Sequence, residues 1–446
     1  MSCFDIDYLT PVANRNETNH FHIVLNGESN LQVDERGKIK TDYMSVKEYG
    51  IFLHEYIHYM QHLITLFGIN RCKMFNIVFG QCIQYVMNKQ TVRIPIKLST
   101  IDVNYHEYET HIRKTFGIQH YSKHYIDEVE VKDNEIIVSK LENRSVRIGI
   151  YDFQNNEALD NEIEFGYWGI IESMAHLVQQ MIDPEIDNFH REVPYRLVEL
   201  ICRNKYPSIA NDSKMMIAVC LCALMFDNPG VAFFDVADYA KEQKIDNGIV
   251  LYSHIMEENY VNYKNKNIPL YEAIILFLEE LINSIETVIG EQASYLRIVA
   301  QSCKIEAQKK QSRLLNMIYN PKCDFKKDSL SLLSEFYGFP LIQAKNVFIL
   351  PNKSSKGQEP YRETARLLGV EILYKRLMGK SSTCLWYEIC RLNQDSSQEQ
   401  RSLLSNDLTS IECLYDQWNK TEICMMTQAL SLYGIKDKYY VQNKET

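Results

Sequence analysis

The segment His54-Glu55-Tyr56-Ile57-His58 constrains this chain more than any other, because it lies inside a stretch patterned as one long helix. Ser45-Val46-Lys47-Glu48 reads as a capping box, so the helix starts at about Val46. Leu53, Ile57, Met60 and Ile64 follow at i, i+4, i+7 and i+11, an apolar stripe suited to burial. No Pro or Gly interrupts the run from Ile51 to Phe67, and Gly68 is the expected stop, giving a helix over about 46–67. Residues four apart on a helix differ by about 40° of rotation, so the imidazoles of His54 and His58 leave from one face. Two neutral imidazoles so placed can hold one Zn²⁺ at about 2.0–2.1 Å. Glu55 lies beside them, in reach of a metal-bound water rather than of the metal. Zinc lowers the pKa of such a water to about 7, and the carboxylate can take its proton as the water attacks a carbonyl. The competing reading is an ordinary core helix that carries two histidines.

A hydrolytic zinc site needs a third protein ligand and one open position. His62 continues the same face but stands about 12 Å from His54 along the axis, too far for one metal to bridge all three. No Gly-turn pattern leading to a third His follows His58. Glu172 is the better candidate. It sits in the segment from Gly166 to Val178, which reads as a second helix over about 167–182 with Ile171, Ala175 and Val178 as its stripe; Glu172 and His176 share a face.

These two windows resemble the gluzincin metallopeptidases, the thermolysin and neprilysin group, whose pattern is HExxH followed by ExxxD on a second helix. The resemblance covers about 35 residues and implies His54 and His58 as zinc ligands, Glu55 as general base and Glu172 as third ligand. Glu172-Ser173-Met174-Ala175-His176 departs at its last position, where the family has an Asp that orients a ligand His by a hydrogen bond. His176 takes that supporting position, with direct metal binding as the alternative.

The two windows are far apart in the chain, so the interval must hold structure of its own. Residues 70–89 read as a helix packed on the first through Met74, Ile77, Val78, Cys82 and Val86. Alternation over Arg93–Leu98, Glu135–Leu141 and Val146–Tyr151 predicts a small antiparallel insertion over about 91–153, with turns at Asp133-Asn134 and Glu142-Asn143. Upstream, residues 20–26 read as a strand, placed where zincins have an edge strand that binds extended substrate. His20 and His22 are expected on an exposed face of it. His106 and His111 have the wrong spacing for one helix face, and His120 and His124 lack a Glu between them in the needed place.

Other chemistries lack their motifs. There is no G-x-G-x-x-G and no G-x-S-x-G, and Gly379-Lys380-Ser381 lacks the first Gly of a P-loop, with Tyr374 in its place. Cys220 and Cys222 lie in the apolar run Met215–Phe226 and read, with Cys202, as core residues rather than nucleophiles. A formal net charge of −10 argues against a nucleic-acid surface, despite the basic residues at Lys309–Arg313. Twelve cysteines without a C-x-x-C pair read as reduced thiols. With no signal-peptide pattern at the N-terminus and no apolar run long enough for a bilayer, a cytoplasmic protein without a membrane role is expected.

The expected fold is α+β and predominantly helical. Residues 1–195 would form a zincin-like catalytic region with the antiparallel insertion. Residues 196–446 would form a helical region that completes the cleft, regulates it or binds a target. Its expected helices include Tyr195–Arg203, Met215–Phe226, Tyr271–Ile289, Gln292–Ile318, Ser329–Phe336, Tyr361–Met378 and Leu403–Asn419. The expected function is hydrolysis of a peptide bond in a protein or peptide substrate, with one Zn²⁺ per chain. Tyr167, His190, Arg191 and Tyr195 are the candidates for stabilising the oxyanion. The alternatives are a non-catalytic protein stabilised by structural zinc, with His176 as fourth ligand, and a metal-free helical scaffold. Glu55 favours catalysis, because a structural site has no use for that carboxylate.

Overall fold

The computed structural model describes residues 15–17, 21–25, 32–33, 39–98, 101, 115–117, 128–132, 146–151, 162–188, 192–290, 293–344, 347–349, 361–379 and 425–442. The architecture is predominantly helical with a few small sheets. Among the described residues, no helix is long and apolar enough to cross a membrane.

Helix α1 (Val46–Ile64) begins at the expected capping box: the Glu48 N–H donates to Ser45 Oγ at 3.2 Å, and the Ser45 N–H donates to Glu48 Oε2 at 2.8 Å. Leu53, Ile57, Met60 and Ile64 are buried as expected. The helix stops at Thr65, before Gly68. Thr65 is extended and its hydroxyl accepts from the Gly68 N–H, so it closes α1 and caps helix α2 (Leu66–Met87) at once. Gly68 has a different role from the expected stop. A Cβ there would lie 2.4 Å from the Gln61 carbonyl oxygen, so Gly is what lets α2 turn back tightly against α1.

The small sheets draw on distant parts of the chain. Strand β1 (Arg15–Glu17) pairs antiparallel with β2 (His22–Leu25). The strand expected at 20–26 therefore forms, but not at an edge: β2 is flanked on its other side by the strand Leu341–Ala344, in parallel register, and the strand Val347–Ile349 completes the sheet. His22 is not on an exposed face either. It is buried, with Nδ1 3.0 Å from Glu371 Oε2 on the helix Tyr361–Leu377. Strands β3 (Gln32–Val33) and β4 (Ile39–Lys40) form a short hairpin. Strand β5 (Thr91–Ile94) stands apart from the insertion, pairing in parallel with the C-terminal strand Tyr439–Gln442. An antiparallel sheet of β6 (Glu128–Lys132), β7 (Val146–Tyr151) and β8 (Glu162–Phe165) follows, its third strand beyond the expected bounds of 91–153. Glu135–Leu141 and the histidines 20, 106, 111, 120 and 124 lie outside the described residues.

Helix α3 (Tyr167–Gln180) follows β8 directly. Gly166 makes that junction possible, since a Cβ there would lie 2.3 Å from the Thr115 carbonyl oxygen. Helix α3 packs beside α1, and the segment Leu197–Lys205 packs on α3. The remaining helices follow the apolar pattern, with instructive exceptions. The expected helix over Gln292–Ile318 is two, Ser294–Gln308 and Arg313–Tyr319. Lys310 turns left-handed between them at φ 52°, and Ser312 caps the second. The helix Leu270–Ile289, expected over Tyr271–Ile289, is amphipathic, with Leu276 facing outward. Helices Pro229–Glu242 and Gly248–Glu258 belong to the same expected helical region, and Asn228 and Asn247 cap them in the ordinary way. Cys202, Cys220 and Cys222 are buried in the core, and burial raises each thiol. Leu403–Asn419 lies outside the described residues.

One buried carboxyl makes stability depend on pH. Glu306 accepts from the Arg313 N–H at 2.6 Å and from the Tyr337 hydroxyl, yet burial outweighs these bonds and raises it from 4.5 to about 7. Below pH 4.5 folded and unfolded chains both hold the proton. Between there and pH 7 the unfolded chain releases a proton that the folded chain keeps, so stability falls as pH rises. Glu306→Gln should remove that slope. In urea unfolding at pH 5 and pH 7.5, the difference between the two should shrink by roughly 1–3 kcal/mol in the variant. An unchanged difference would show that Glu306 ionises normally.

Candidate metal centre

Helices α1 and α3 bring three side chains to one point. The His54 and His58 Nε2 atoms are 3.1 Å apart, and Glu172 Oε2 lies 3.3 Å from the first and 3.4 Å from the second. Among the described residues these form the group of His, Cys, Asp and Glu side chains able to share one metal ion. The triangle can be tested against a tetrahedral ion. Ligands at 2.0–2.1 Å from a tetrahedral metal are about 3.3 Å from one another. All three edges match that value and exceed the usual 2.9–3.0 Å of an N–H···O hydrogen bond. Two imidazoles and a carboxylate are also a donor set suited to Zn²⁺. His54 and His58 are almost fully buried, while the Glu172 side chain keeps 18% of its surface, so solvent reaches the triangle from that side.

The charges follow from this packing. Burial opposes charge on His58, but the Glu172 carboxylate, its hydrogen bond, the Glu55 charge and Gln61 together raise the imidazole to about 9. On His54 burial prevails over Glu172 and lowers the ring below its ordinary value. Glu172 is held well below the usual carboxylate range: burial would raise it, but the His58 charge and bonds to both imidazoles prevail. Glu55 is buried on α1 between the two histidines, and its charge acts on His58.

His62 stands outside the group, as its distance along the helix requires. Its Nδ1 lies 2.7 Å from the His58 carbonyl oxygen, and its Nε2 lies 2.8 Å from the Tyr167 hydroxyl. The bond to the carbonyl places the proton on Nδ1, so Nε2 accepts from Tyr167. Burial and then the Arg71 charge push this imidazole down to about 3. Tyr167 is thus buried with its hydroxyl on His62 and is removed from the oxyanion candidates. Tyr195 is different. Its ring centroid lies 5.9 Å from that of His54 and 6.1 Å from that of His176. Ser173, next to Glu172, fixes this neighbourhood: its hydroxyl donates to the Pro194 carbonyl at 2.8 Å and accepts from the Val198 N–H at 3.2 Å. His190 and Arg191 lie outside the described residues.

His176 is fully buried on α3, outside the ligand triangle, with Nε2 2.9 Å from Asp187 Oδ1. Asp187 also accepts from the Gln180 side chain at 2.9 Å, and the His176 bond contributes most to holding its carboxyl below the ordinary value. A residue that sequence reasoning passed over contacts a candidate ligand directly: Gln61 Oε1 lies 2.8 Å from His58 Nδ1. The i+3 spacing from His58 was its only sequence signal. Neither a family model, nor a curated protein, nor a solved structure matches this chain.

Proposed function

We propose that this chain is a zinc-dependent peptidase of the gluzincin kind, with His54, His58 and Glu172 as ligands and Glu55 as general base. The observation that carries the reading is the triangle of ligand atoms with edges of 3.1–3.4 Å, built by a helix that also carries Glu55. A bound Zn²⁺ supplies Lewis acidity to a water and to the substrate carbonyl. Glu55 takes the attacking water's proton and passes it to the departing amine. Tyr195 is the candidate donor to the oxyanion, because its ring borders His54. The candidate donor group holds His54, His58 and Glu172 and leaves His176 outside, which favours this reading over structural zinc with His176 as fourth ligand. The substrate class is a protein or peptide.

Metal content tests the assignment. The purified protein should hold about one zinc per chain, as the three-ligand site requires. His54→Ala and His58→Ala should each lose most of it. Equal zinc in the wild type and both variants, by elemental analysis, would sink the site.

A further inference from the structure

We infer that Gln61 is a positioning residue for the metal centre: one buried amide sets the His58 tautomer and ties the Glu172 helix to α1. The inference rests on the proposed zinc reading. Gln61 is fully buried on α1, and both ends of its amide are engaged. The nitrogen donates to the Ile171 carbonyl at 3.1 Å. A carbonyl oxygen can only accept, so this contact fixes which way the amide points. The amide oxygen then faces His58 Nδ1 at 2.8 Å and, having only lone pairs, requires a proton there. A neutral imidazole protonated at Nδ1 keeps its lone pair on Nε2, the atom that stands in the triangle. Gln61 therefore keeps the remaining proton on Nδ1 when a cation takes Nε2, and fixes the ring plane about the same bond.

The other end of the amide reaches the second helix. Ile171 immediately precedes Glu172, so the bond to its carbonyl sets the height of α3 against α1 where the third ligand projects. Two ligands from helices far apart in the chain are thus registered by one side chain. Asp in the ExxxD pattern does a related task from the second helix. Here that position is His176, which bonds Asp187, and the amide acts from the first helix instead.

The test compares the full-length wild type with Gln61→Met and Gln61→Glu. Zinc affinity is read by competition with a chelating indicator, and ligand geometry by the visible spectrum of the Co²⁺ form. Met fills the same space but has no acceptor for Nδ1–H. It should weaken Zn²⁺ by roughly 10–100-fold and alter the Co²⁺ spectrum, as loss of a ligand's hydrogen-bond partner does. Glu restores the acceptor while losing the donor to Ile171, so its affinity should fall clearly less than that of Gln61→Met even though its melting temperature falls. A purely structural role predicts that affinity follows stability in both variants. Gln61→Met binding as tightly as the wild type, or Gln61→Glu losing as much as Gln61→Met, overturns the inference. A wild type that binds no Zn²⁺ overturns the peptidase reading and this inference together, a pattern distinct from both of those. Should Gln61→Met fail to fold, ¹⁵N-histidine spectra of the zinc-loaded wild type decide: His58 must carry its proton on Nδ1, and a His58 without it overturns the inference.

Discussion

Glu55→Gln is expected to leave zinc content and fold intact while lowering kcat roughly 10²–10⁴-fold, the range that a positioned general base contributes. Gln has the same length and shape as Glu but cannot accept a proton at working pH. Glu55 lies on α1 between His54 and His58, outside the triangle of candidate donor atoms, so its loss leaves that donor set whole. It is also buried, where a carboxylate contributes more to proton transfer than it would in water. The measurement is hydrolysis of an unstructured protein substrate, followed by mass spectrometry, for wild type and variant at matched zinc occupancy. Equal rates would remove Glu55 from the chemistry. Loss of zinc with Glu55→Gln, alongside its retention in Glu172→Ala, would mean that the two carboxylates exchange roles.

What could be read from the sequence was what depends on neighbours within a few turns. The capping box at Ser45, the apolar stripe from Leu53 to Ile64 and the shared face of His54 and His58 are all local properties of one helix. Glu172 was legible by the same logic, because a second amphipathic helix presents it beside a buried stripe. Contacts that cross the chain were not legible. His22 was expected on an exposed face because a strand's alternation does not reveal which helix covers it; Glu371, 349 residues away, does. The partner of Gln61 at Ile171 is 110 residues away, so nothing near Gln61 marks it as more than a polar residue on a helix. Tyr167 and Tyr195 could not be separated until the structure showed one hydroxyl on His62 and the other ring against His54. Gly68 misled for a related reason: Gly serves equally as a helix stop or as a point of close approach, and only the packing of α2 on α1 distinguishes them.

Glu172→Ala is expected to weaken zinc binding by more than the roughly 10–100-fold typical of changes to residues that only support a ligand. It should also change how stability depends on pH. In the metal-free protein the His58 imidazole is raised to about 9, so its stabilising contribution is fully present below its ordinary value of 6.5 and is lost as pH rises toward 9. Glu172, held low, contributes above its ordinary value of 4.5 and loses that contribution only as pH falls through its depressed value. Together they favour the metal-free fold most between about pH 4.5 and 6.5. On the proposed reading zinc would reverse this trend, because it would have to displace the proton from His58. The rise in melting temperature on adding Zn²⁺ should therefore grow from pH 6.5 to pH 9 in the wild type. Glu172→Ala removes both the proposed third ligand and the charge that most favours protonated His58. The variant should show little zinc-induced rise at any pH, and its metal-free melting temperature should lose the decline between pH 6.5 and 9 that the pair imposes. Thermal melts with Zn²⁺ and with chelator at pH 6, 7.5 and 9 would read both effects. A zinc-induced rise in Glu172→Ala equal to that of the wild type would exclude Glu172 as a ligand, because the carboxylate would then have left the metal's affinity untouched.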